Sequence, residues 1–242
     1  MTPAAILCDL DDTLFDHSGA TRRALVGFQA SVPALQRWSL DELHDRHRVI
    51  LDDVHQDLLD GRRSIDGARR ERFRRLMEAA GEAVTDEQAD ASARRYRQAY
   101  ESCWAPMDGA VELLEALTRR GHAIAVVTNN LRAEQQLKLE RCGLDRYVDA
   151  LVTSEDAGSQ KPRPEIFHQA LARLDVTGAD AVMFGDSWHA DIAGAHAAGI
   201  RAVWFNPTAL PSLDLSVVEV RSLVPVGAVV RVLTSVEDGP QG

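Results

Sequence analysis

The chain has 242 residues, 45% hydrophobic and 26% charged, with a formal net charge of −10. This length holds one large domain or two smaller ones. The acidic balance argues against nucleic-acid polymers and membrane surfaces as partners, which need a basic footprint, and no apolar run nears the ~20 residues of a membrane span. Cys8, Cys103 and Cys142 are far apart and form no CxxC pair. They suggest neither a zinc ribbon nor a disulfide framework. Free thiols and an N-terminus without a basic, then apolar leader point to the cytoplasm.

In chain order, Ala4–Cys8 is a short apolar run ending in acids, predicted as a buried strand. Residues 16–105 contain no strand pattern. Leu40, Leu43, Ile50, Leu51, Val54 and Leu58 share one helical face. Phe73, Leu76, Met77 and Ala80 form a second stripe, and Ala93, Tyr96, Tyr100 and Cys103 a third. Arg69, Arg70, Arg72, Arg74 and Arg75 make this region arginine-rich. It reads as an all-helical insertion at 16–105, with Pro106 and Gly109 marking the return. Asp108 is the expected N-cap of a helix carrying Ala110, Leu113, Leu114 and Leu117.

Strands are predicted at Ala123–Val127, Ala150–Val152, Ala181–Phe184 and Ala202–Phe205. A helical pattern on Ile166, Phe167, Ala170, Leu171 and Leu174 separates two of them. Strand alternating with helix predicts an α/β core with a parallel sheet covered on both faces. That core takes residues 1–15 and 106–236, and 237–242 are expected to form a loose tail.

Three strand ends and one loop carry polar groups: Asp9-Leu10-Asp11-Asp12-Thr13, Thr128-Asn129-Asn130, Gly185-Asp186-Ser187 with Asp191 beyond it, and the loop holding Lys161 ahead of the Ile166 helix. Ligands of open parallel sheets bind beyond the carboxyl ends of the strands. In an extended segment Asp9 and Asp11 point the same way, with Asp186 contributed by a neighbouring strand. Carboxylates so gathered repel unless a cation joins them, and oxygen ligands without His or Cys suit Mg²⁺. With Lys161 and the Thr128 hydroxyl they make a receptor for a phosphoryl group. A carboxylate nucleophile and a second carboxyl as acid/base would complete the chemistry. The residue types leave open which of Asp9 and Asp11 attacks.

Asp9-Leu10-Asp11-Asp12-Thr13-Leu14 resembles the first motif of the haloacid dehalogenase (HAD) superfamily of phosphohydrolases. Val127-Thr128-Asn129, Lys161-Pro162, and Gly185-Asp186 with Asp191 resemble the second, third and fourth. The resemblance spans about residues 4–207 in the expected order. It implies a Rossmann-like core with an inserted helical cap of the first type. It implies that Asp9 is nucleophile and Mg²⁺ ligand, and that Asp11 is the acid/base and binds the metal through its carbonyl. It also implies that Thr128, the Asn129 backbone and Lys161 bind phosphate, that Asp186 binds the metal, and that Asp191 supports it. Asp12 stands where the family often has Gly. Gly199–Pro207 resembles the fifth strand of the pyrimidine 5′-nucleotidase-like branch. The implied activity is Mg²⁺-dependent hydrolysis of a small-metabolite phosphomonoester, such as a nucleoside monophosphate or sugar phosphate, through an aspartyl phosphate.

Other readings compete. A 2-haloacid dehalogenase shares the fold but needs no magnesium, and no carboxylate is expected there at the place of Asp11. A phosphomutase would need the cap to retain a bisphosphorylated intermediate. A phospho-acceptor receiver is about half as long and lacks the insertion, and a binding module would have lost one of Asp9, Asp11, Lys161 or Asp186. His44, His47 and His55 read as a solvated helix face, since nothing completes a zinc site. His189 and Trp188 could border the pocket. The arginines read as a solvated face or as a site for a second anionic group, with Arg22 and Arg23 the preferred contacts. The sequence sets no oligomeric state.

Overall fold

The apolar run before Asp9 forms strand β1, Ala5–Cys8, with every residue buried. The structure, a computed structural model, describes residues 2–59 and 61–235, so the tail expected at 237–242 lies outside the described residues. After β1 come helices α1 (His17–Ser31), α2 (Leu40–Leu59), α3 (Ile65–Ala79), α4 (Asp86–Ser102) and α5 (Ala110–Thr118). Then follow β2 (Ala123–Thr128), α6 (Arg132–Arg141), β3 (Ala150–Thr153), α7 (Ser154–Ala157), α8 (Pro164–Leu174) and β4 (Ala181–Gly185). A π-helical turn at Trp188–Ala193 leads into α9 (Gly194–Ala197), β5 (Arg201–Phe205), β6 (Val218–Val220) and α10 (Val226–Thr234). The chain divides into two compact units: Met1–Asp16 with Ala105–Gly242, and His17–Trp104. No helix among the described residues is long and apolar enough to cross a membrane.

The first unit is built on a six-stranded parallel sheet of order β3-β2-β1-β4-β5-β6. Side chains alternate across a strand. Ala5 and Leu7 therefore join the core cluster that holds Ile166, Phe167 and Ala170 of α8, while Ile6 and Cys8 face the other side. The strand β6 was absent from the sequence expectation. It has three residues, Val-Glu-Val, and only Val220 is buried, so no apolar run announces it.

Helix ends follow local chemistry. The Ser64 hydroxyl accepts from the Gly67 N–H at the start of α3, and Thr85 with Gln88 forms a capping box on α4. The expected cap Asp108 does not act on α5. Gly109 takes that place at φ 85, and a Cβ there would lie 2.9 Å from the Val224 side chain. Both the left-handed backbone and the lack of space require glycine.

The second unit packs α1 and α3 against α2 and α4. Its centre is aromatic, with ring centroids 5.0 Å apart for Phe28–Phe73, Phe73–Tyr96 and His47–Tyr96. The helix α2 buries Leu43, His47 and Val54, a helical stripe in which His47 takes a core place. The solvated reading of His47 is thereby overturned: it is 1% exposed, and neither ring nitrogen has a hydrogen-bond partner among the described residues. The arginines are not a free cationic face either. Arg62 and Arg63 share Asp57 at 2.8 and 2.9 Å, Arg70 binds Asp90 at 2.8 Å, and Arg74 and Arg75 converge on the buried Glu71. Arg22 pairs with Asp41, and Arg23 donates to the Cys103 carbonyl at 2.9 Å.

Burial, then the charges of Arg72, His17 and His44, hold the His47 pKa well below its ordinary value. The unfolded chain therefore binds a proton that the folded one refuses, so stability is lost as pH falls below the unfolded histidine value of about 6.5. In chemical denaturation the wild-type midpoint should fall relative to that of His47→Phe on going from pH 7.5 to pH 5. Midpoints that move in parallel would assign the effect to other groups.

Candidate active site

The strand order reverses at β1, so crossovers on its two sides go to opposite faces and leave a crevice beyond the ends of β1 and β4. Asp9 follows β1, and its N–H donates to the Phe184 carbonyl of β4 at 2.9 Å. Beyond Leu10 the chain turns. The Leu10 carbonyl accepts from Thr13, Leu14 and Phe15, the Asp12 N–H donates to Phe15, and Asp12 sits at φ 61. That region favours Gly and tolerates Asp, so Asp12 can hold it. From Asp11 onward the chain turns, so two-residue alternation no longer fixes the partners of the Asp11 carboxylate.

Lys161 is the centre of the site. Its ammonium donates to Asp9 Oδ1 at 2.6 Å, Asp191 Oδ1 at 2.6 Å and the Val127 carbonyl at 2.7 Å. All three N–H donors are thus used, in a place where Lys161, Asp9 and Asp191 are all buried. Asn129 fixes the backbone of this lysine reciprocally: its amide donates to the Lys161 carbonyl at 2.9 Å and accepts from the Lys161 N–H at 2.7 Å. Burial alone would lower the Lys161 pKa, but the Asp191 and Asp9 carboxylates outweigh it and push it above the ordinary lysine value.

Oxygens of Asp9, Asp186 and Asp191 lie within 4.8 Å of one another. The second oxygen of Asp191 accepts from the Ser187 N–H at 2.9 Å. Thr13 and Asp186 exchange hydrogen bonds: the Thr13 hydroxyl donates to Oδ1 and accepts from the Asp186 N–H, both at 3.1 Å. The Trp204 indole N–H donates to the Asp186 carbonyl at 2.8 Å. Gly185 leaves room for all this, since a Cβ there would meet the Asp191 carboxylate at 2.3 Å. Burial first, with Lys161 opposing, pushes the Asp9 pKa up to about 7. Burial, then the charges of Asp9 and Asp191, pushes Asp186 up to about 8. One ammonium does not balance three carboxylates. The donors are all oxygens, a set that suits a hard divalent cation such as Mg²⁺.

Asp11 has partners of its own. Its Oδ1 accepts from Lys138 at 2.6 Å and its Oδ2 from the Gln135 amide at 3.1 Å. The same Gln135 nitrogen donates to the Thr128 hydroxyl at 2.7 Å. Sequence reading missed Gln135 and Lys138, which lie on α6 outside any strand end. A signal was there: of 27 Lys and Arg residues only Lys138 and Lys161 are Lys, and both are buried at this rim. His189 is exposed, and Trp188 packs edge-on against Trp204 with centroids 4.9 Å apart.

Residues 3–199 match the family described as haloacid dehalogenase-like hydrolase. A ribulose-1,5-bisphosphate 5-phosphatase from Halopiger xanaduensis is 35% identical over 209 residues, covering 84% of this chain and 85% of that protein. The pyrimidine 5′-nucleotidase YjjG from Escherichia coli is 44% identical over 103 residues, 42% of this chain and 45% of that protein. The crystal structure of the putative HAD-hydrolase YfnB from Bacillus subtilis bound to magnesium superposes with a TM-score of 0.72 at 25% identity, covering 96% of this chain and 99% of that one. The match over most of the chain, on a parallel sheet interrupted by an all-helical insertion, places this protein in the haloacid dehalogenase-like hydrolase family.

Proposed function

We propose that this protein is a Mg²⁺-dependent phosphatase that hydrolyses a small-metabolite phosphomonoester through an aspartyl phosphate on Asp9. The observation that carries this reading is the Lys161 ammonium, which joins Asp9 to Asp191 within the three-carboxylate cluster. Asp9 attacks phosphorus and the bond to the leaving oxygen breaks. Asp11 gives that oxygen a proton, then takes one from the water that cleaves the aspartyl phosphate. The Thr128 hydroxyl, the Asn129 backbone N–H and Lys161 hold the phosphoryl oxygens. Asp9, Asp186 and the Asp11 carbonyl would hold Mg²⁺, with Asp191 keeping Lys161 and the Ser187 turn in place. The ion, when bound, screens the attacking carboxylate from the phosphate charge.

The helical unit, expected at 16–105, serves in this reading as the cap that selects substrate. The relatives named as a bisphosphate 5-phosphatase and a 5′-nucleotidase support a small phosphorylated metabolite, so sugar phosphates and nucleoside monophosphates are the first to screen. Three unpaired cysteines fit a cytoplasmic location.

Three outcomes are expected. The protein hydrolyses an aryl phosphate with Mg²⁺ and loses that activity to a chelator; full activity in chelator counts against the metal. Asp9→Asn abolishes turnover, by at least about 10³-fold, and a near-normal rate in that variant would remove Asp9 as nucleophile. The third concerns stability. Asp9 and Asp186 titrate above their unfolded value of 3.8, so the folded state holds protons that the unfolded chain has lost. Metal-free stability from these groups therefore falls as pH rises from about 4 to about 8. Mg²⁺ should raise the Tm more at pH 8 than at pH 5, and a Tm indifferent to Mg²⁺ at pH 8 would contradict the shared site.

A further inference from the structure

We propose that Lys138 and Gln135 are positioning residues that fix the Asp11 carboxylate for hydrolysis of the aspartyl phosphate, an assignment that rests on the phosphatase reading above. Both lie on α6, three residues apart and so on one helical face. Lys138 is 1% exposed, and a buried ammonium is costly unless paired. Its partner is Asp11 Oδ1 at 2.6 Å, with the ring centroid of Phe15 at 4.9 Å. Gln135, fully buried, takes the other oxygen and the Thr128 hydroxyl with one nitrogen.

Each Asp11 oxygen therefore has its own donor, and turning the carboxylate gives up at least one of them. The same amide ties Asp11 to Thr128, a proposed phosphate ligand. The helix that follows β2 thus sets where the carboxylate stands relative to the phosphoryl group.

An aryl substrate separates positioning from mere packing. In the first half-reaction Asp9 attacks phosphorus, the P–O bond to the phenolate breaks, and that good leaving group departs without a proton from Asp11. In the second, water attacks phosphorus, the P–O bond to Asp9 breaks, and the water proton passes to Asp11. Only the second step then depends on where Asp11 stands. Lys138→Met keeps the side-chain volume and leaves no buried charge.

With an aryl phosphate, Lys138→Met should lower kcat by about 10- to 100-fold, the scale of a misplaced catalytic group. KM should fall by the same factor, kcat/KM should hold, and hydroxylamine-labile phosphoenzyme should accumulate on acid quench. Lys138→Gln keeps one N–H donor and should show the same pattern with a smaller drop; it carries the test if Lys138→Met does not fold. An unchanged kcat, or a kcat/KM that drops as far as kcat without trapped phosphoenzyme, would overturn the assignment and leave the phosphatase reading intact. A wild-type protein that neither hydrolyses the aryl phosphate nor forms phosphoenzyme would instead remove the phosphatase reading, and this assignment with it.

Discussion

The Lys161 ammonium is the constraint on which the site depends. It lies in a buried place with three acceptors and three N–H donors, so its position has no slack. Removing one partner of such a buried ionic pair typically costs about 3–5 kcal/mol. The surroundings are arranged to keep it there. Asn129 clamps its backbone from the end of β2, Asp191 is held by the Ser187 N–H, and Gly185 has no side chain to block the approach of the Asp191 carboxylate.

One cation in that place does not satisfy the carboxylates around it. Asp9 and Asp186 are both pushed well above the ordinary carboxylate range, because burial and mutual repulsion disfavour their charged forms. The fold tolerates this at the switch point of the sheet, where the crevice admits a ligand. A divalent ion and a phosphoryl group would resolve the conflict in sequence, the ion balancing the carboxylates and the lysine then sharing the anion. Strain of this kind at a site is what separates a rim built for a ligand from a rim merely capped.

The two lysines divide the work on either side of β2. Lys161 reaches the rim from the loop before α8 and meets the Asp9 side, while Lys138 rises from α6 and meets Asp11. Elsewhere every cationic side chain apart from histidine is an arginine. In the helical unit Arg74 and Arg75 share the buried Glu71, and other arginines form surface ion pairs around Asp57 and Asp90. Such exposed pairs contribute little stability individually, about 0–1 kcal/mol. The core of that unit is the ring cluster around Tyr96, with His47 buried among the rings.

The amino-acid sequence by itself determined the parallel core, the place of the helical insertion, and the strand ends and loop that bear Asp9, Thr128, Asp186 and Lys161. Apolar runs and helical periodicity are local patterns, and a parallel sheet brings the ends of its strands to one edge whatever the details. Local pattern did not reveal β6, too short and too little buried to leave an apolar run, or the core role of His47, whose ring neighbours come from other helices. Only the tertiary structure decided how the carboxylates are shared. Asp9 and Asp11 are two residues apart, yet the turn at Asp12 sends one to Lys161 and the other to Lys138, 127 residues along the chain. A side chain's partner is set by the backbone path after it and by what packs opposite, and neither is written in the spacing of the residues themselves.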